Sequence, residues 1–448
     1  MARVLILTTG GSDKPLVKSI MWSKPDYTIF LCSDDDKGST PRAGSYKMVD
    51  GEGKPCKDEK GERESIVRQC KLLPEQYSVK RIKDPDNLGL CYKACLEAIN
   101  TAREKMPDAK IRADYTGGTK TMTSALAMAA VDDENIEIFI VSGNRPDLVK
   151  VSSGTETLRQ ADWEPILWAR QQQSLKELFK SRDYKACIDL IEETCSILPG
   201  KSELFSQLNG YLVICRGLQA WEEFRHLEAK ELLEAYSQMK DQLKFLRSII
   251  RSLESYTKQA AAARGEGQGL AVGVKPDLGL VHDILRNAER RLQKRQFDDA
   301  VGRIYRALEL IADIILLHQD PPLDNSALDI EKLPAELQGK YREMLNLQGG
   351  TTLQLPLFRS WELLAELKTP AGKAFAVSRE KMLKLLNFRN SSIFAHGLSP
   401  VGEAQAQEFY RYVCNLLSQI EDEMKLSNRY QNQAQFPDVL PEYIQSGK

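Results

Sequence analysis

The run Asn387-Phe388-Arg389-Asn390-Ser391-Ser392-Ile393-Phe394-Ala395-His396-Gly397 brings together side chains suited to phosphodiester chemistry. An imidazole titrates nearest neutrality, and a guanidinium is a fixed, permanently charged donor for phosphate oxygens. Arg389 and His396 therefore suit cleavage of a phosphodiester without a metal. RNA carries its own nucleophile, the 2′-hydroxyl, so such a site needs only to align that oxygen, move its proton and stabilise charge. Asn390 is placed to orient either partner by hydrogen bonding. The bland alternative is a histidine that caps a helix end beside a solvated arginine.

A second set of chemistry-bearing residues lies in two glycine-rich turns. Thr8-Thr9-Gly10-Gly11-Ser12 follows a short apolar run and precedes a helix start marked by Ser12, Asp13 and Pro15. Thr116-Gly117-Gly118-Thr119-Lys120 also joins a strand to a helix, and adds a cation and hydroxyls. Backbone amides, hydroxyls and one lysine at such turns suit a phosphate or nucleotide. Neither turn has the GxGxxG of dinucleotide sites or the GKT/GKS ending of a Walker A loop, which argues against NAD binding and ATP hydrolysis. The glycines can also be read as doing no more than permitting tight turns. Asn144, after the last long strand, is expected on the same rim.

The elements that must position these groups are legible in the periodicity. Val4 to Leu7, Thr28 to Cys32, Val79 to Ile82, Ile111 to Asp114 and Ile136 to Val141 read as strands. Asp13 to Met21, Arg63 to Leu73, Leu88 to Arg103 and Thr119 to Val131 read as helices between them. Strands this uniformly apolar imply a sheet covered on both faces, a doubly wound α/β domain with ligands at the C-terminal strand ends. Ser33 to Gly61 reads as a mobile polar loop over that rim, as a lid or with no part in binding. From Asp162 to Gln259 the pattern is helical, and Ala260 to Gly269 ends it in a glycine-rich linker. Beyond, Phe297, Val301, Ile304, Leu308, Ile311 and Ile315 form one stripe, as do Phe409, Val413, Leu417, Ile420 and Met424, which predicts a helical bundle. Arg286, Arg290 and Lys294 share one helical face beside Arg291, Arg295, Arg303 and Arg306. Two readings stand side by side, a solvated face and a set of RNA phosphate contacts.

Arg389-Asn390 followed after five residues by His396-Gly397 resembles the Arg-x(4–6)-His motif of HEPN ribonucleases. Arg286 to Arg291 and Phe297 to Leu310 resemble the opening helices of that domain in CRISPR-associated ribonucleases, and the two glycine turns resemble the ligand loops of a CARF domain. The resemblance implies a Rossmann-like CARF domain over 1–155, a helical connector over 156–264 and a HEPN bundle over 265–448. It further implies a cyclic oligoadenylate, the tetra- or hexa-adenylate, as allosteric activator, held by Thr9, Gly10, Gly11, Ser12, Thr116, Gly117, Gly118, Thr119, Lys120 and Asn144. Arg389, Asn390 and His396 would be catalytic, in a symmetric homodimer whose two motifs share one groove and cut single-stranded RNA. Six residues between Arg389 and His396 is the long end of the family spacing. The rival reading is a nucleotide-sensing regulator without nuclease activity.

Bulk composition agrees with this outline. At 448 residues with 42% hydrophobic content the chain can bury several cores. A formal charge of −1 argues against a generally basic, nucleic-acid-coating surface, so stable DNA binding is not expected. Nine cysteines without a CxxC pair predict reduced thiols in a cytoplasm; Cys91 and Cys95 read as core rather than metal ligands. No signal peptide, membrane span or catalytic metal is expected.

Overall fold

The computed structural model describes residues 2–35, 43–50, 56–58, 61–133, 136–143, 157–265, 275–393, 397–426 and 436–440. The chain divides into two compact units, Met1–Gln173 with Ser196–Pro199, and Ser174–Cys195 with Gly200–Lys448.

In the first unit β1 (Arg3–Thr9), β2 (Tyr27–Ser33), β5 (Tyr77–Ile82), β6 (Lys110–Asp114), β7 (Ile136–Ser142) and β8 (Thr157–Gln160) form one sheet in the order β5-β2-β1-β6-β7-β8. The first five are parallel and β8 returns antiparallel on the edge. The apolar strands are covered on both faces, as their composition requires. Val4, Ile6, Ile29 and Leu31 pack under α3 (Leu88–Lys105) and α4 (Lys120–Val131), together with Cys91 and Cys95. Leu5, Leu7, Phe30 and Cys32 face the other way, against Leu16 and Ile20 of α1 (Lys14–Ser23).

Three details depart from the sequence reading. The strand β8 was not expected, and a small hairpin pairs β3 (Cys56–Asp58) with β4 (Gly61–Arg63). The helix expected over Arg63 to Leu73 is a single turn, α2 (Ile66–Gln69). Lys71 adopts a left-handed conformation (φ 53°), and Leu73, which precedes a proline, is extended. Where the polar loop after Ser33 is described, it is tied down: Ser33 and Ser45 exchange hydrogen bonds at 2.9 Å, Tyr46 and Val49 are buried in the α1-side core, and Arg81 lies 3.5 Å over the Tyr46 ring. The rest of that loop, 36–42, 51–55 and 59–60, lies outside the described residues.

The second unit is helical and holds both the helices expected to connect and those expected to form a bundle. α5 (Glu164–Lys180) begins in the first unit, and the chain continues through α6 (Tyr184–Ile197), α7 (Glu203–Glu222), α8 (His226–Leu233) and α9 (Lys240–Ala263). Then follow α10 (Gly279–Gln293), α11 (Phe297–Leu317), α12 (Ala335–Gln348), α13 (Leu357–Glu366), α14 (Pro370–Asn390) and α15 (Glu403–Glu423). The centre is α11, which packs against α9, α10, α13, α14 and α15. Its stripe residues Val301, Ile304, Leu308, Ile311 and Ile315 are buried, and Ala300, Ala307, Ile314 and Leu316 bury its other faces. The turns at Arg182-Asp183 and Arg295-Gln296 share one geometry. Each arginine is left-handed (φ 58°) and donates its N–H to the carbonyl three residues back, and the next N–H reaches the carbonyl five back, a Schellman closure made without glycine. Among the described residues no helix is long and apolar enough to cross a membrane.

Candidate functional site

The strand order reverses direction at β1, whose neighbours are β2 and β6, so the crevice of this sheet opens beyond the C-terminal ends of β1 and β6. Both glycine turns emerge there and pack backbone to backbone. A Cβ on Gly10 would fall 2.6 Å from the Gly118 nitrogen, and one on Gly117 would fall 2.5 Å from the Thr8 carbonyl oxygen. Gly118 has φ +98°, which side chains rarely adopt. Thr8 Oγ1 closes the contact by donating to the Gly117 carbonyl. These glycines are therefore required by the approach of two loops, beyond the needs of either turn alone.

The hydroxyls divide by role. Thr116 donates through N and Oγ1 to Asp114 and accepts from the Val141 N–H at 2.7 Å. Thr119 donates to the Pro85 carbonyl at 2.7 Å and caps α4 at the Met122 N–H. Thr9 is buried at the end of β1, opposite Cys32. Gly11, Ser12 and Lys120 are exposed, and Gly10, Gly117 and Gly118 are half-buried. At the start of α1, Asp13 makes no side-chain cap; its carboxylate accepts instead from Gln69 at 2.9 Å. Sequence reasoning set Asp114 at the start of the second loop without giving it a role; it is the fully buried carboxylate on which that loop is hung. Burial pushes its pKa up, against the hydrogen bonds of Ser19 and Thr116. Asn144 lies outside the described residues.

In the second unit Arg389 and Asn390 close α14. This helix is bent at Ser378 (φ −118°), whose hydroxyl bonds back to the Ala374 carbonyl and to the Tyr412 hydroxyl. The Arg389 guanidinium lies 4.0 Å over the Tyr305 ring of α11 and donates from Nη1 to Asn390 at 3.3 Å. Its Nε is buried with no hydrogen-bond partner among the described residues, as is the Ser392 hydroxyl three residues on. Ser399 N donates to the Ser391 carbonyl and Gly397 N to that of Ser392, so the chain doubles back over the helix end. Gly397 is obligatory there, because a Cβ would lie 1.9 Å from the Ser391 oxygen. His396 lies outside the described residues. Tyr305 was not singled out beforehand; its signal is an aromatic residue lying off the apolar stripe of its helix.

The charges of the arginine cluster on α10 and α11 are largely paired within the chain, some of them buried and others, Arg295 and Arg306, exposed. Arg290 is 2% exposed, donates to Glu222 at 2.6 Å and lies 3.9 Å over the Phe436 ring. Arg303 bonds Asn287 and Asp299, Arg306 bonds Glu309 and Asp313, and Lys294 reaches the Arg182 carbonyl. Arg286 pairs with Glu289, and Arg295, the most exposed, with Glu403. Burial holds the Lys294 and Arg303 pKa values below their ordinary ones.

The Csm6 HEPN domain family matches residues 270–420. Among solved structures, Enterococcus italicus Csm6 bound to cyclic hexa-2′-fluoro-hexa-dAMP matches with TM-score 0.61 and 14% identity, covering 96% of this chain and 99% of that one. Can2 from Sulfobacillus thermosulfidooxidans, in complex with cyclic tetra-adenylate, matches at 12% identity over 52% of this chain and 69% of that one; its TM-score of 0.22 is too low to compare folds. No curated protein matches. Residues 270–420 therefore match the Csm6 HEPN domain family, and the chain as a whole shares the fold of the Enterococcus italicus Csm6.

Proposed function

We propose that this chain is a cyclic oligoadenylate-activated endoribonuclease of type III CRISPR defence, cutting single-stranded RNA without a metal and leaving 2′,3′-cyclic phosphate and 5′-hydroxyl ends. The observation that carries the reading is Arg389 itself, a guanidinium held over the Tyr305 ring with a buried Nε that has no partner among the described residues. A buried unpaired donor calls for an explanation, and a phosphate oxygen is the acceptor a guanidinium fits best. Arg389 would hold the scissile phosphate and stabilise the charge that develops on it. His396 would handle protons, and Asn390, hydrogen-bonded to Arg389, would fix the guanidinium.

The activator would sit at the paired glycine turns of the first unit, on the backbone of half-buried Gly10 and exposed Gly11 with Ser12 and Lys120. The cyclic adenylate analogue bound by the Enterococcus protein, together with the shared fold, supports this ligand class. One arginine and one histidine make a thin active site, and a homodimer would supply two of each. Apolar side chains left open in α14 and the loop after it favour self-association: Val377 is 92%, Ile393 64% and Leu398 90% exposed.

The test is cleavage of a fluorescent single-stranded RNA in EDTA, with and without cyclic tetra- and hexa-adenylate, for the wild type, His396→Ala and Arg389→Lys. Cleavage that needs one ring size, is abolished in His396→Ala and falls about 10²–10³-fold in Arg389→Lys fits the mechanism. Oligoadenylate binding without any cleavage would leave a sensor and remove the nuclease.

A further inference from the structure

Behind Tyr305 lies a cavity of about 620 Å³ to which neither the motif nor the activator loops contribute. Tyr305 belongs to both places, since its ring carries Arg389 and also borders the cavity. The second aromatic wall is Tyr256 of α9, whose hydroxyl donates to Asp313 at 3.0 Å. Between the rings the lining is polar and internally braced. Asp313 also accepts from Asn325 at 2.8 Å and from Arg306, Arg306 holds Glu309 at 3.1 Å, and Arg264 holds Asp324 at 2.8 Å. Gln354 stands at the edge, exposed.

The charge balance decides what such a cavity takes. Two guanidiniums face three carboxylates, and each guanidinium is already paired, so a second phosphate would find no free cation. Two tyrosines and an acceptor-rich lining suit a flat, neutral group that donates hydrogen bonds, and the volume is that of a small-ligand pocket. Resting on the ribonuclease reading, we propose that this cavity seats the nucleobase beside the scissile phosphate, selecting a base with a donor-rich edge. Guanine fits best, because its adjacent N1–H and N2–H groups match a carboxylate, and Glu309 and Gln354 are the reading residues. Uracil, with one N–H between two carbonyls, fits least.

The test maps cut sites by sequencing a single-stranded RNA pool randomised at every position, digested by activated wild type, Glu309→Gln and Gln354→Ala. The wild type is expected to favour guanine at one position next to the cut, and Glu309→Gln to reduce that preference about 5- to 150-fold, the range of one good base contact. Gln354→Ala lowers it in the same direction while thermal unfolding stays unchanged. A wild type without base preference beside the cut, or two variants that keep it, overturns the assignment. Should the wild type cut no RNA with either oligoadenylate, the ribonuclease reading fails, and saturation-transfer NMR with guanosine and uridine then decides the cavity alone. Guanosine contact that is lost in Glu309→Gln retains the base pocket, and no contact removes it.

Discussion

Glu222, the last residue of α7, is the hub of a buried charge cluster, and its removal tests the account of the arginine face. Its carboxylate takes the Arg290 Nε at 2.6 Å and the Asn287 amide at 2.5 Å, with Arg291 at 3.9 Å. In Glu222→Ala the Arg290 guanidinium stays buried against Phe436 with its charge uncompensated, and its Nη2 already lacks a partner among the described residues. Breaking one side of a buried pair costs about 3–5 kcal/mol. For a unit of this size each kcal/mol shifts Tm by about 2–4 °C, so a fall on the order of 6–20 °C is expected by calorimetry or circular dichroism. Glu192→Ala, which breaks an exposed pair with Arg216, provides the contrast at about 0–1 kcal/mol. Replacing both partners, Glu222→Leu with Arg290→Met, should recover most of the loss, because the desolvation penalty goes with the charges. If Glu222→Ala costs no more than the exposed pair, Arg290 is not buried as described and the reasoning fails.

Three further outcomes follow from the same geometry. Gly10→Ala forces its Cβ to within 2.6 Å of the Gly118 backbone, so cyclic oligoadenylate affinity should fall at least about tenfold by calorimetric titration; wild-type affinity would refute the paired-loop site. Gly397→Ala must displace the return over Ser391, and activated RNA cleavage should fall on the order of 10²-fold with little change in activator binding. Asp114 holds its proton more tightly folded than unfolded, so its stabilising contribution is full below the unfolded pKa of about 3.9 and is lost as pH rises through the raised folded value. The Tm advantage of wild type over Asp114→Asn should therefore shrink from acid toward neutral pH, and a gap that widens would refute the burial argument.

Much of the fold was legible because it is local. Short, nearly continuous apolar runs read as strands covered on both faces, and both turns were expected at the C-terminal strand ends; the strand order that sets β1 beside β6 and brings the turns together came from the tertiary structure. The stripe on α11 announced a bundle, and Cys91 and Cys95 lie in a core as their unaccompanied spacing suggested. Where two local preferences competed, the helical pattern misled. The Arg63 to Leu73 helix shrank to one turn once Lys71 turned left-handed and Pro74 held Leu73 extended.

The chain alone determined which residues could do chemistry: Arg389 with Asn390, and the glycines, hydroxyls and lysine of the two turns. Only tertiary structure decided what each is pressed against. Arg290 reads as solvated on its own helix because its partner Glu222 lies 68 residues earlier. Tyr305 becomes the platform of Arg389 only when α14 packs on α11. Periodicity tells which face of a helix is apolar, but the cost of a charge depends on what the rest of the chain brings to it.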